Sequence, residues 1–182
     1  MKTHFSALSD DHQLRGALII GYKTALNSEE FASFFEAHGL QVVDADRWYP
    51  AQQVLDVFND MMEASHGFLD FVSIGIAAVP NMRFPPTVDL HSPESVLAAL
   101  PTIPDMMVRS SRPGYAAVEP VSAQCYRIKV RSTMPDDIIY GTLYALAKGF
   151  VADPTTIVLS YPPDAKRRDY GDEYTNYELR WG

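Results

Sequence analysis

The stretch CYRIKVRSTMPDDIIYGTLYALAKGF, residues 125–150, changes its hydrophobic period halfway along, and that change constrains the fold more than any other segment does. Tyr126, Ile128 and Val130 point one way while Arg127, Lys129 and Arg131 point the other. A period of two marks a strand with one dry face. Past Pro135 the repeat turns helical, with Ile139, Leu143, Leu146 and Phe150 on one stripe. A half-buried strand that runs into an amphipathic helix needs a second layer for each to cover, so a mixed fold is required.

The flanking segments agree. SSRPGYAAVE reads as a Pro-Gly turn feeding a partner strand, with Pro120 limiting its length. TTIVLSY and EYTNYELRW read as a second strand pair, the latter with Thr175, Tyr177, Leu179 and Trp181 on one side. The polar PPDAKRRDYGD between them is expected to be a long mobile loop.

The first hundred residues follow helical spacing instead. Ser9 or Asp10 is placed to cap a helix through HQLRGALIIGYKTAL, and Asn27 or Ser28 a second one, EEFASFFEAHGL, with Gly39 at its left-handed end. Pro50 opens AQQVLDVFNDMMEAS, and residues 67–79 are apolar nearly all round, as in a buried helix. HSPES opens one more, with Ser92 as cap and Pro93 first in the helix. The expected class is therefore α+β: four to five N-terminal helices, then two strand pairs flanking a helix, forming a small, mainly antiparallel sheet covered by helices. Residues 1–13 are expected to be an arm, and 14–182 one domain with a helical part, 14–101, and a sheet part, 105–182.

Charge and chemistry exclude several classes. A formal net charge of −8 argues against a nucleic-acid binder. Cys125 is the only cysteine, which fits a reducing compartment. No secretory h-region opens the chain and no apolar run spans a bilayer, so a soluble cytoplasmic protein is expected. His4, His12, His38, His66 and His91 never take the i, i+4 spacing of a helical metal site, and no metal site is expected. No Gly-x-Ser-x-Gly or Gly-rich phosphate loop is present, so no catalytic residue is assigned.

Asp136 and Asp137 pose the sharpest choice. Thr133-Met-Pro-Asp136 fits a helix-capping pattern, and two early carboxylates suit the positive end of a helix. No third polar partner for acid–base work stands near them in sequence, so the cap is preferred. Arg127, Lys129 and Arg131 are read as a solvated face paired across the sheet with residues such as Glu178 rather than as an anion site. Gly141, Ala145 and Gly149 form a small-residue stripe, signalling either a close backbone approach or room for a ligand.

The element order resembles the superfamily that joins haem-NO/oxygen-binding (H-NOX) sensor domains with 4-vinyl-reductase-like small-molecule-binding domains. The likeness runs through LIIGYKTALNSEEFASFFEAHGL, RWYPAQQVLDVFNDMMEA and GFLDFVSIGIAAV, and is clearest in YRIKVRSTMPDDIIYGTLYALAKGF. Asp137, Ile138, Ile139, Gly141 and Leu143 follow that superfamily's Asp-apolar-apolar-x-Gly-x-Leu form. Its haem motifs are not matched. SPESVLAALP lacks the axial histidine, His91 standing just before it. Ile128-Lys-Val130-Arg-Ser132 occupies the place of a Tyr-x-Ser-x-Arg element. The resemblance thus implies a non-catalytic, haem-free sensory domain binding a small apolar or amphipathic molecule between helices and sheet. It implies a signalling partner such as a histidine kinase. Haem or another tetrapyrrole held by His91 or His66 is the alternative, and a homodimeric interaction module a further one. Trp48, Tyr49, Phe58, Met62, Phe71, His91, Tyr140, Gly141 and Tyr144 are the candidate ligand-binding residues.

Overall fold

The alternation at 125–131 forms a strand whose neighbours on both sides run antiparallel. In a computed structural model describing residues 4–26, 29–66 and 69–182, β4 (Tyr115–Ser122), β5 (Cys125–Arg131), β6 (Val158–Ser160) and β7 (Thr175–Arg180) make a sheet of order β4-β5-β7-β6. Ile128 faces Val118 on one side and Tyr177 on the other. The inner face buries Ile128, Leu159, Tyr177 and Leu179. The outer face carries charge pairs: Arg127 lies opposite Glu178, 3.6 Å away, and Arg131 reaches Glu173 at 2.8 Å. Among the described residues only Arg127 of this stripe is paired across the sheet; Glu173 precedes β7, and Lys129 lies over the Tyr174 ring at 4.2 Å.

Seven α-helices occupy the rest of the described residues: α1 (Gly16–Ala25), α2 (Glu29–Ala37), α3 (Ala51–Ala64), α4 (Phe71–Ala78), α5 (Pro93–Ala99), α6 (Ile103–Met107) and α7 (Asp136–Phe150). The α+β architecture follows the expected order. Gly39, at φ +69°, ends α2, with Leu40 N–H donating to Phe35 at 2.7 Å in a Schellman turn. Ser92 caps α5 by accepting from Ser95 N–H at 3.2 Å. The Asn27 and Ser28 caps, with residues 67 and 68 of the apolar segment, lie outside the described residues.

Three expectations are corrected. The segment 13–15 is a strand, β1 (Gln13–Arg15), between β2 (Trp48–Pro50) and β3 (Val108–Arg109), so neither Ser9 nor Asp10 caps α1. Ser9 instead hydrogen-bonds Asp11 and Ser110 at 2.6 Å each. Thr133 caps nothing: Pro135 precedes α7 and the Thr133 hydroxyl has no partner. The 162–173 segment is tied down, because it supplies the buried Arg168 and the partly buried Arg167 and Asp169 to the start of α7.

Two apolar cores result. One joins α1, α3 and α4 with Phe5 from the N-terminal arm, which packs edge-on against Phe71 at 5.4 Å. The other joins α5, α7 and the four-stranded sheet. Helices α4 and α7 connect them by crossing at a pair of glycines: a Cβ on Gly75 would lie 2.1 Å from the Ile138 carbonyl, and one on Gly141 2.1 Å from the Val72 carbonyl. Close backbone approach, and not ligand space, accounts for Gly141.

Candidate functional site

The seam between the two cores is incompletely filled. Leu14, Leu18 and Tyr22 from β1 and α1 face Ile128 and Val130 of β5 and Ile139, Leu143 and Leu146 of α7, leaving a cavity of about 120 Å³. Met82, Leu100, Ile103 and Met107 close another side. The void lies between layers, where the side chains of α1, α7 and β5 do not fully interdigitate. Its size approaches that of an engineered apolar cavity of about 150 Å³ that admits benzene or xenon, and falls below the roughly 300–1,000 Å³ of drug-sized ligand pockets.

Four hydroxyl-bearing residues are among the lining: Tyr22, Ser132, Thr133 and Thr142. Ser132 accepts from Met134 N–H at 3.1 Å, and Thr142 donates to the Ile138 carbonyl at 2.9 Å. Thr133, 2 % exposed, has no partner for its hydroxyl among the described residues. Tyr22 packs against Phe58 at 5.6 Å. Burial pushes the Tyr22 phenol well above its ordinary range, so it stays neutral and able both to donate and to accept. Among the described residues no histidine, cysteine, lysine, arginine or carboxylate lines the cavity.

Charge is concentrated beside α7 instead. Asp136 and Asp169 exchange backbone hydrogen bonds, each carboxylate accepting the other's N–H at 2.8 and 2.9 Å. Thr175 donates to Asp136 at 2.7 Å, while Arg167 and Arg168 approach the same carboxylate at 3.5 and 3.8 Å. Arg168 also donates to the Met134 carbonyl at 2.9 Å. Asp137 accepts from Tyr161 at 2.5 Å and Arg167 at 2.7 Å, and Arg167 lies over the Tyr161 ring at 3.8 Å. Burial, then the charge of Asp136, raises the Asp169 pKa. Perturbed groups of this kind mark either active sites or structural ion networks. Here the Asp136 oxygens are taken by the chain's own donors, which makes the cluster a clasp between α7 and the loop before β7.

None of the nine candidate ligand residues lines the cavity. Phe58, Met62 and Phe71 are buried in the helical core. Trp48, on β2, carries the Arg109 guanidinium over its ring at 4.1 Å, and the Tyr49 hydroxyl accepts from Asp44 N–H at 2.9 Å. His91 is exposed, its Nδ1 3.1 Å from the Gly149 carbonyl. Tyr140 donates to the Leu159 carbonyl, Tyr144 packs against the sheet-side core, and Gly141 sits at the α4–α7 crossing. Size and aromaticity selected these residues. The cavity is a property of the gap between layers, and only the alternation of Ile128 and Val130 and the Leu143/Leu146 stripe pointed to it. Among the described residues no cluster of His, Cys, Asp and Glu could hold a metal ion.

No family model matches the sequence, and no curated protein matches it either. Its fold does match solved H-NOX structures. A doubly substituted Tt H-NOX superposes with a TM-score of 0.70 at 12% identity, covering 92% of this chain and 95% of that one. An H-NOX protein from S. oneidensis in the Fe(II)NO ligation state gives 0.67 at 9% identity, over 93% and 99%. An oxygen-binding H-NOX domain related to soluble guanylate cyclases gives 0.62 at 12% identity, over 91% and 92%. The chain has the H-NOX fold.

Proposed function

We propose that this chain is a non-catalytic sensory domain that binds a small, mostly apolar molecule in the cavity between α1, α7 and β5. The observation that carries the reading is the cavity itself, lined mainly by apolar residues and placed where the two cores meet. A molecule seated there touches both cores, so its binding energy bears on how they pack, which is what a sensor requires. The solved neighbours include an NO-ligated and an oxygen-binding form, which supports a ligand-sensing use of this fold. A signalling protein such as a histidine kinase is the matching partner. No helix among the described residues is long and apolar enough to cross a membrane.

Haem does not fit the residues present. The cavity is lined by neither histidine nor cysteine for the iron, and by neither arginine nor lysine for propionates. His91 and His66 are exposed and absent from its lining. We therefore read the chain as haem-free. Crystals held under xenon pressure test the proposal: xenon density among Leu18, Ile128 and Leu143 is expected, and a dry seam with xenon bound only elsewhere would overturn it. Haem added to the protein is expected to leave its Soret band at the position of free haem.

A further inference from the structure

The apolar cavity contains a polar feature that packing alone does not explain. Thr133 is buried and lines the cavity, yet its hydroxyl has no hydrogen-bond partner among the described residues. Tyr22, 2 % exposed, lines the same cavity from α1 and brings a second hydroxyl-bearing side chain to it. Buried polar groups are nearly always satisfied, and each one left unmade costs stability, so the Thr133 hydroxyl requires an account.

Aliphatic residues could have filled both positions at no loss of packing. Thr133 has a near-isosteric apolar substitute in valine, and Tyr22 in phenylalanine. Ser132 accepts one bond within the chain and keeps its proton to donate, while Thr142 commits its proton to the Ile138 and Gly75 carbonyls and keeps only acceptor capacity. The cavity therefore offers an aliphatic wall together with neutral donors and acceptors, and no charged side chain. That donor set suits an uncharged ligand. An anion would lack a cation and a cation would lack a carboxylate, each at a heavy desolvation cost.

Resting on the cavity reading above, we infer that the ligand is a small neutral molecule with an apolar body and one hydrogen-bonding group, such as an alcohol or a ketone, and that Thr133 and Tyr22 take up that group. The volume of about 120 Å³ limits the body to roughly the size of a five- or six-membered ring. Selectivity then comes from the hydroxyls. A site with unpaired donors favours a ligand that completes them over an isostere that leaves them empty.

Cyclopentanol and cyclopentane separate the two levels of the argument. Their dissociation constants are measured by NMR titration on the full chain, on Thr133→Val and on Tyr22→Phe. Wild type is expected to bind both, and the ratio of alcohol to hydrocarbon affinity is expected to fall about tenfold in Thr133→Val, the size of one buried hydrogen bond. Hydrocarbon affinity is expected to hold or rise in that variant. If wild type binds cyclopentane but the ratio is unchanged in both variants, the hydroxyl assignment is overturned and the cavity reading survives. If neither probe binds wild type, the cavity reading fails and this inference falls with it. Both substitutions remove a hydroxyl without adding volume, so the variants are expected to fold.

Discussion

Replacing Gly141 with alanine tests the helix crossing that holds the two cores together. The new Cβ would lie 2.1 Å from the Val72 carbonyl oxygen, 2.9 Å from its carbon and 3.1 Å from the Ile76 nitrogen. All three are backbone atoms of α4, so no side chain can swing aside. To reach ordinary contact the helices must separate by about 1 Å, which breaks the packing around Gly75, whose own Cα faces the Ile138 carbonyl. Overpacking of this kind costs roughly 1–3 kcal/mol, and a backbone clash belongs at the top of that range. Alanine recovers about 1 kcal/mol of helix propensity. The net expectation is a loss of about 2 kcal/mol, the difference of those two values. With a urea m-value of about 2 kcal/mol/M, the unfolding midpoint falls by about 1 M. Gly75→Ala is expected to behave alike, and the double variant to be less than additive because both disturb one contact. A Gly141→Ala midpoint equal to or above wild type would refute the crossing as drawn.

Asp136→Ala is expected to cost at least about 2 kcal/mol in the same assay, about 1 or more for each of the Thr175 hydroxyl and the Asp169 N–H left without their acceptor, while Arg168 keeps Asp169 at 3.1 Å; a loss of 1 kcal/mol or less would return Asp136 to the role of a simple helix-end charge. Thr133→Val is expected to stabilise the ligand-free protein by about 1 kcal/mol, read as a raised thermal midpoint, because an unpaired buried hydroxyl is removed. His12, buried with both ring nitrogens unpaired among the described residues, has its pKa lowered by burial, with Asp11 opposing. The unfolded chain therefore binds that proton more readily, and stability is expected to fall as pH drops below about 6.5 toward the lowered folded value. His12→Leu is expected to remove that part of the acid sensitivity in denaturation midpoints compared between pH 7.5 and 5.5.

Much of the fold was legible because the informative segments are long and periodic. The alternation in 125–131 and the stripe in 136–150 each carry enough repeats to set a face, and Ser92-Pro93 is unambiguous as a helix start. Strands β1, β2 and β3 have two or three residues each, too few for a period, and β1 runs straight into α1. Their pairing is decided by contacts between Leu14, Tyr49 and Val108, far apart in sequence. The acidic pair before α7 looked like local helix chemistry because its partners, Arg167, Arg168 and Thr175, come some thirty to forty residues later. The cavity was the least legible feature. It is defined by what medium-sized side chains fail to fill, whereas residues such as Phe58 and Tyr140 drew notice because they fill space well.

The central claim is that the seam between the cores takes a small neutral ligand. Its most direct measurement is a titration of methyl-labelled protein with cyclopentanol, following Leu18, Ile128, Ile139 and Leu143. Saturable shifts confined to these cavity methyls, with surface-exposed Val42 and Val121 unmoved, are the expected result. Unmoved cavity methyls at saturating probe, or shifts spread over the surface instead, would contradict it.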